Sequence, residues 1–255
     1  MNSTFDWLQK IGEFQNKLEE YQKVVFCEEK LWFFGQKFPS DENNKNNLIL
    51  AGEAKETETK ILYFVSYETY NINIYSLKIK NKEIKLENIP IILPENYFKG
   101  FQPTHSILSN KIIYVQGGTL CCGFRWEPNW LLKLSLEGKN SELIKFESTN
   151  HPEFNYSGSF ANAFLSDKNV WIHFAGTKQF GMSSGTFNGE IWILNLIDTN
   201  QPKWEKLENK KLPKTMTGST AIIYVKQADK LFLIDDQNRI LKSINFDFLN
   251  KLLIN

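Results

Sequence analysis

The spacing of hydrophobic residues differs between the N-terminal part of the chain and the rest. Near the N-terminus, apolar side chains recur at spacings of four and three, at Trp7, Ile11, Phe14, Leu18, Tyr21 and Val25. This spacing lines one face of an α-helix, and Ser3 or Thr4 can cap its first turn. The pattern therefore predicts an N-terminal amphipathic helix within residues 1–25. We expect it to pack on its own domain, with a partner helix or an upstream coiled coil as the alternatives.

After residue 25, apolar and polar positions alternate, which is typical of short β-strands. Four alternating segments follow one another at intervals of roughly 50–60 residues, at Ile61–Tyr67, Ile112–Gly118, Val170–Gly176 and Lys230–Asp236. Each follows another strand across a short polar turn, and each precedes at least one more. Four strands in about 50 residues is the pattern of a propeller blade. We therefore predict an all-β propeller of about four to five four-stranded blades over residues 26–255.

The last unit has no clear fourth strand. Residues 24–36 have the pattern of a hairpin that turns at Glu28 and Glu29. This hairpin either completes the last unit or begins a fifth blade. Pairing strands from the two ends of a propeller would cover edges that otherwise invite aggregation.

Two units carry a more specific pattern. In the unit at 105–146, an apolar strand ends in Gly117 and Gly118, and Trp130 begins the next strand. The following unit has Gly176, Trp192 and Trp204 in corresponding places. These units resemble the kelch-repeat family of β-propellers. The resemblance implies that these six residues hold structural repeat positions and that Trp204 packs between blades. Ser66-Tyr67 and Asp235-Asp236 depart from the family's Gly-Gly pair.

The composition of the chain argues against several classes of protein. With 42% hydrophobic and 23% charged residues, the chain has the composition of a folded protein. Lys and Arg number 30 against 29 Asp and Glu, so no basic surplus indicates nucleic-acid binding. Apolar runs are too short for a membrane-spanning helix, and the N-terminus does not resemble a secretory signal. Cys27, Cys121 and Cys122 form no disulfide framework. We therefore predict a cytoplasmic protein that binds neither nucleic acid nor membrane.

Known catalytic motifs are missing from the sequence. His105, His151 and His173 are too few and too scattered for a copper site, and no phosphate-binding glycine loop occurs. Asp235 and Asp236 are neighbours in a strand, so their side chains point to opposite faces. The sequence therefore predicts no catalytic residue, no cofactor and no metal.

The loops after the second strands are long and aromatic. One contains Phe124, Arg125 and Trp126, and the corresponding loop of the next unit contains Phe180, Met182 and Phe187. Aromatic residues, Arg and Met are enriched at the centres of protein interfaces. We therefore predict a non-catalytic protein–protein interaction module that binds a protein partner through this loop face, unless the rings fold back to cap the propeller. The alternative is a small carbohydrate-active or epimerising propeller enzyme, with Arg125 or Arg239 facing a central channel.

Overall fold

The computed structural model describes residues 8–13, 21–27, 30–35, 47–68, 71–80, 83–97, 103–117, 130–138, 141–146, 161–174, 177–180, 184–187, 189–197, 202–211, 220–225, 228–235 and 240–244. The chain divides into two compact units, one of residues 36–151 and the other of residues 1–35 with 152–255.

Every regular element in the described residues is a β-strand. In chain order, the strands are β1 (Leu8–Glu13), β2 (Tyr21–Cys27), β3 (Lys30–Gly35), β4 (Asn47–Glu56), β5 (Thr59–Glu68), β6 (Asn71–Lys80), β7 (Glu83–Ile89), β8 (Pro103–Ser109), β9 (Ile112–Gly117), β10 (Trp130–Ser135), β11 (Glu142–Lys145), β12 (Ala161–Leu165), β13 (Val170–Phe174), β14 (Thr177–Phe180), β15 (Ser184–Phe187), β16 (Glu190–Asn195), β17 (Lys203–Lys211), β18 (Thr220–Val225), β19 (Lys230–Asp235) and β20 (Ile240–Ile244). The all-β prediction is confirmed.

The unit of residues 36–151 contains two antiparallel four-stranded sheets. Their strand orders are β4-β5-β6-β7 and β11-β10-β9-β8, so each sheet is a meander of consecutive strands. The two first strands, β4 and β8, contact each other. The core of this unit contains fully buried residues from both sheets, among them Val65, Ile74, Val115 and Leu132. The unit predicted around Ile61–Tyr67 and the unit predicted at 105–146 therefore correspond to the two sheets.

A glycine allows β4 and β8 to approach closely. A Cβ atom placed on Gly52 would lie 2.8 Å from the Cβ of Leu108, closer than real Cβ atoms come to one another. Because the colliding atom is next to the backbone, it cannot be moved by a change of rotamer. Gly52 therefore determines how closely these two sheets pack.

We expect Gly52→Ala to lower the free energy of unfolding by about 1–3 kcal/mol, the usual cost of overpacking a core. Urea denaturation of the variant measures this loss. In a Leu108→Gly background, which lacks the colliding Cβ, Gly52→Ala should lower the free energy of unfolding by a smaller amount. Equal costs in the two backgrounds would show that the contact does not limit the packing.

Edge strand β7 carries an exposed charge network. Glu87 pairs with Lys78 at 2.6 Å and with Lys85 at 2.7 Å. Hydrogen bonds from Lys78 first, and then from Lys85, lower the pKa of Glu87 from 4.5 to about 2. The ionised carboxylate of Glu87 therefore stabilises the fold above its ordinary pKa, and this contribution is lost as the pH falls from about 4.5 towards 2.

We therefore expect Glu87→Gln to reduce stability at neutral pH and to have little effect near pH 2. Denaturation curves of both proteins across this range measure the difference. Added salt should shrink it, because solvent-exposed ion pairs are screened. If the stability difference between the two proteins instead grew as the pH falls, the ionised Glu87 would not be stabilising the fold.

The other unit also contains two antiparallel four-stranded sheets, with strand orders β12-β13-β16-β17 and β1-β20-β19-β18. Strand β12 of one sheet contacts strand β18 of the other. Strands β2 and β3 form a two-stranded sheet with Cys27 and Lys30 as the partners nearest the turn, which confirms the hairpin predicted at 24–36. This hairpin contacts β18 of the last sheet but does not pair with any strand of that sheet. The fourth strand of that sheet is β1.

The helix predicted within residues 1–25 is not found in the part of the chain that the structure describes. Leu8–Glu13 and Tyr21–Cys27 are strands instead. The edge of β20 offers β1 a row of backbone donors and acceptors, and such tertiary pairing can override a local helical preference. No described helix is long and apolar enough to cross a membrane.

Short turns join β4 to β5, β8 to β9, β12 to β13 and β18 to β19, one turn in each four-stranded sheet. Each contains a non-glycine residue in the left-handed region, with φ of 53° at Thr57, 62° at Lys111, 50° at Asn169 and 45° at Asp229. The carbonyl of Asn169 also accepts a hydrogen bond of 2.9 Å from the backbone N–H of Leu196. Such backbone ties hold the β12–β13 turn in place, together with the side chains on it.

Candidate carboxylate site

Four polar side chains meet where two neighbouring sheets of one unit place their turns. Asp167 and Lys168 lie in the turn between β12 and β13, Tyr224 lies in β18, and Asp229 lies in the turn between β18 and β19. Because β12 and β18 are in contact, the turns at their ends lie side by side. We call these four residues the turn cluster.

The hydroxyl of Tyr224 lies between the two carboxylates of the turn cluster. Its oxygen is 2.7 Å from Oδ1 of Asp167 and 3.0 Å from Oδ1 of Asp229. A phenol has one proton, so Tyr224 donates to one carboxylate at a time. Lys168 Nζ lies 2.6 Å from Oδ1 of Asp229 and 3.7 Å from Oδ2 of Asp167. An ammonium group and a phenol thus hold both carboxylates.

The charge state of the turn cluster follows from these contacts. The hydrogen bond from Lys168 is the main cause that lowers the pKa of Asp229. Burial is the main cause that raises the pKa of Tyr224, and its hydrogen bonds to the two carboxylates add to the effect. At neutral pH, Asp229 is therefore ionised and Tyr224 keeps its proton.

The two carboxylates remain accessible. The exposed fraction of the side chain is 33% for Asp167 and 53% for Asp229, against 19% for Lys168. Both carboxylate oxygens lie within 3.0 Å of one hydroxyl oxygen, so they are close together. Inverting glycosidases hold their two carboxyl groups about 6.5–9.5 Å apart, whereas retaining ones hold them about 5–5.5 Å apart. Because one hydroxyl oxygen contacts an oxygen of each carboxylate, the two carboxyl groups lie near the shorter spacing of the retaining arrangement.

A second polar group lies on the sheet that contains β16 and β17. The indole N–H of Trp192 donates to Oε2 of Glu190 at 3.1 Å, and Lys206 donates to Oε1 of the same carboxylate. Lys206 Nζ also lies 5.8 Å from the ring centroid of Trp192. The charged groups here bind one another, so this arrangement is well explained as a stabilising contact between neighbouring strands.

Three buried rings on the same sheet pack against one another. His173 is fully buried, with its ring centroid 4.5 Å from that of Trp171 and 4.9 Å from that of Trp204. Trp204 is 6% exposed. A packing role for Trp204 agrees with this burial, whereas its position between blades stays a prediction.

The structure describes only some of the residues that the sequence analysis singled out. Trp130 and Gly117 are register partners, and Lys145 Nζ lies 5.1 Å from the Trp130 ring centroid. Phe180 ends β14 and Phe187 ends β15, so the predicted loop at 177–189 contains a hairpin. Seven candidates lie outside the described residues: Gly118, Phe124, Arg125, Trp126, Gly176, Met182 and Arg239.

Sequence reasoning missed the turn cluster because its members come from separate units. Lys168 and Asp229 are 61 positions apart in the chain. A usable signal was present, since each lies in the polar turn between the first two strands of its unit. No described group of three His, Cys, Asp or Glu side chains is placed to hold a metal ion.

No family model and no curated protein sequence matches the chain. Among solved structures, an α-L-arabinofuranosidase from Fusarium graminearum is similar over 86% of this chain and 64% of its own, with 12% identity and a TM-score of 0.47. A Trypanosoma rangeli sialidase is similar over 88% and 48%, with 12% identity and a TM-score of 0.37. Drosophila semaphorin 1a, extracellular domains 1–2, is similar over 80% and 56%, with 11% identity and a TM-score of 0.36. The chain thus spans less than two thirds of each.

These similarities contradict the prediction of a non-catalytic interaction module. The arabinofuranosidase and the sialidase are enzymes, so the prediction that the chain is not an enzyme is withdrawn with it. With identities of 12% or less and TM-scores of 0.47 or less, the similarities assign no activity or substrate to this chain. Its function has to be argued from its own residues.

Proposed function

We propose that this protein is a carbohydrate-active enzyme that cleaves glycosidic bonds with retention of configuration. The observation that carries the proposal is the placement of the Tyr224 hydroxyl within 3.0 Å of both the Asp167 and the Asp229 carboxylates. Two carboxyl groups held close together on an accessible surface are the minimal equipment for this reaction. The proposal does not depend on the loop residues at 124–126.

The two carboxylates take different roles. Lys168 keeps Asp229 ionised, so Asp229 is suited to attack the anomeric carbon and form a covalent glycosyl intermediate. In the same step Asp167, in its protonated form, gives its proton to the leaving oxygen as the glycosidic bond breaks, and becomes a carboxylate. In the second step, Asp167 removes a proton from water, and the water oxygen displaces Asp229 from the anomeric carbon. Tyr224 remains protonated throughout and orients both carboxylates.

The fold that we propose is a kelch-like β-propeller of four to five blades. Its support is that the described residues form antiparallel four-stranded sheets, and that strands of successive sheets contact each other within each unit, β4 with β8 and β12 with β18. The β2–β3 hairpin lies against β18 and supplies the beginning of a fifth blade. Radial packing of this kind buries both faces of each small sheet.

Activity on a panel of 4-nitrophenyl glycosides, covering pentoses, hexoses and acidic sugars, tests the proposed function. We expect release of 4-nitrophenol from at least one member. A matching 2-deoxy-2-fluoro glycoside should trap the intermediate, and peptide mass spectrometry should then find the label on Asp229. Failure to cleave any glycoside, natural oligosaccharides included, would overturn the proposal.

A further inference from the structure

Strand β1 is an edge strand of the last sheet. Within the described residues it pairs with β20 alone, and β20 pairs on its other side with β19. If β1 leaves, the backbone groups on the outer edge of β20 lose their partners. An open edge of this kind is a template for another strand.

The ladder between β1 and β20 is irregular. Its register shifts between Lys10 and Gly12, which interrupts the regular hydrogen bonding. The ladder between β19 and β20 is continuous from Leu231 to Asp235. The β1 side of β20 is therefore the side that opens first.

The sequence of β1 also has little preference of its own for a strand. In the segment Leu8–Glu13, Ile11 is the only β-branched residue. Its Leu, Gln, Lys and Glu residues favour helices, whereas Gly12 is unfavourable in a helix and in a strand alike. The same segment belongs to the helical stripe that begins at Trp7. A released β1 therefore has an alternative local structure, which lowers the free energy needed to detach it from β20.

We infer that β1 is an exchangeable strand and that the edge of β20 accepts β1 from a second copy of this chain. The segment known to fit this edge is β1 itself, in the register from Leu8 opposite Ile244 to Glu13 opposite Ile240. Reciprocal exchange covers both edges and closes a two-fold symmetric dimer. This inference is independent of the turn cluster and of the proposed activity.

A disulfide between register partners detects the exchange. Gln9 and Ser243 are directly opposed, so Gln9→Cys with Ser243→Cys, after replacement of the three native cysteines by serine, can link β1 to the β20 on which it lies. Equal amounts of isotopically light and heavy chains are mixed, incubated and oxidised. Mass spectrometry then shows whether a light β1 peptide is joined to a heavy β20 peptide.

The matched control shares Ser243 but links it to the other neighbour, by Phe232→Cys with Ser243→Cys. We expect mixed-isotope disulfides for the Gln9 pair and same-isotope disulfides for the control. The ratio of interchain to intrachain product should rise about tenfold for a tenfold higher concentration, because only the exchange is bimolecular. Same-isotope products alone from the Gln9 pair, or equal mixing in both variants, would overturn the inference.

The unmodified chain provides a second measurement in case the cysteine variants do not fold. Light and heavy wild-type proteins are incubated together at high concentration and analysed by native mass spectrometry. We expect mixed-isotope dimers to accumulate with time. Their absence after long incubation would overturn the inference without reference to any variant.

Discussion

Asp229→Asn is expected to abolish nearly all glycoside cleavage, with a loss of about 10²–10⁴-fold or more. The substitution keeps the size of the side chain and its place in the turn. It removes the negative charge that Lys168, 2.6 Å away, holds in the ionised state. An amide at this position cannot form the glycosyl intermediate. Initial rates at saturating substrate, compared with those of the wild type, measure the loss.

The turn cluster also joins two sheets, so a stability measurement must accompany the rates. Glu137→Gln is a matched control, because Glu137 pairs with Lys111 at 2.8 Å beside the corresponding turn of another sheet. We expect this control to keep full activity. If Asp229→Asn lowers the melting temperature while its folded fraction retains wild-type activity, the turn cluster is a structural clamp and the catalytic assignment is wrong.

Trp204→Ala is expected to lower the free energy of unfolding by about 3–5 kcal/mol, the usual cost of deleting a buried tryptophan ring. The side chain is 6% exposed, and its ring lies edge-on to that of His173 at 4.9 Å. Truncation therefore leaves a cavity beside a fully buried imidazole. Thermal and urea denaturation both measure the loss.

Trp204→Phe provides the comparison, since it keeps an aromatic ring at the same place and should recover a large part of the stability. The ring of Trp192 in the same sheet is only half-buried, so Trp192→Ala should lower the free energy of unfolding less than Trp204→Ala does. An unchanged melting temperature for Trp204→Ala would refute its role as a packing residue.

Local patterning predicted most of the sheets. The alternation at Ile61–Tyr67 corresponds to β5, and the polar turns before and after such segments mark where strands begin. This succeeds because neighbouring strands in a meander are joined by short turns, so register and pairing are decided within a few residues. The hairpin at 24–36 was predictable for the same reason.

Long-range pairing decided what local patterning could not. Residues 8–13 have a helical period, yet they form a strand because a partner far along the chain supplies its edge. Asp167 and Asp229 are likewise ordinary turn residues in the sequence, and only the contact between β12 and β18 brings their turns together. The candidate site was therefore hidden from motif searches, which examine one segment at a time.

The ladder that joins residues 8 and 244 also sets an order of events during synthesis. Strand β1 leaves the ribosome before any other described strand, and it waits for β20 for roughly 10–45 s at 5–20 residues per second. Sheets made of consecutive strands can form during this time, because their loop-closure entropy is small. The sheet containing β20 cannot be completed until translation has passed residue 244. We therefore expect ribosome-bound chains that stop short of β20 to expose β1 to chaperones.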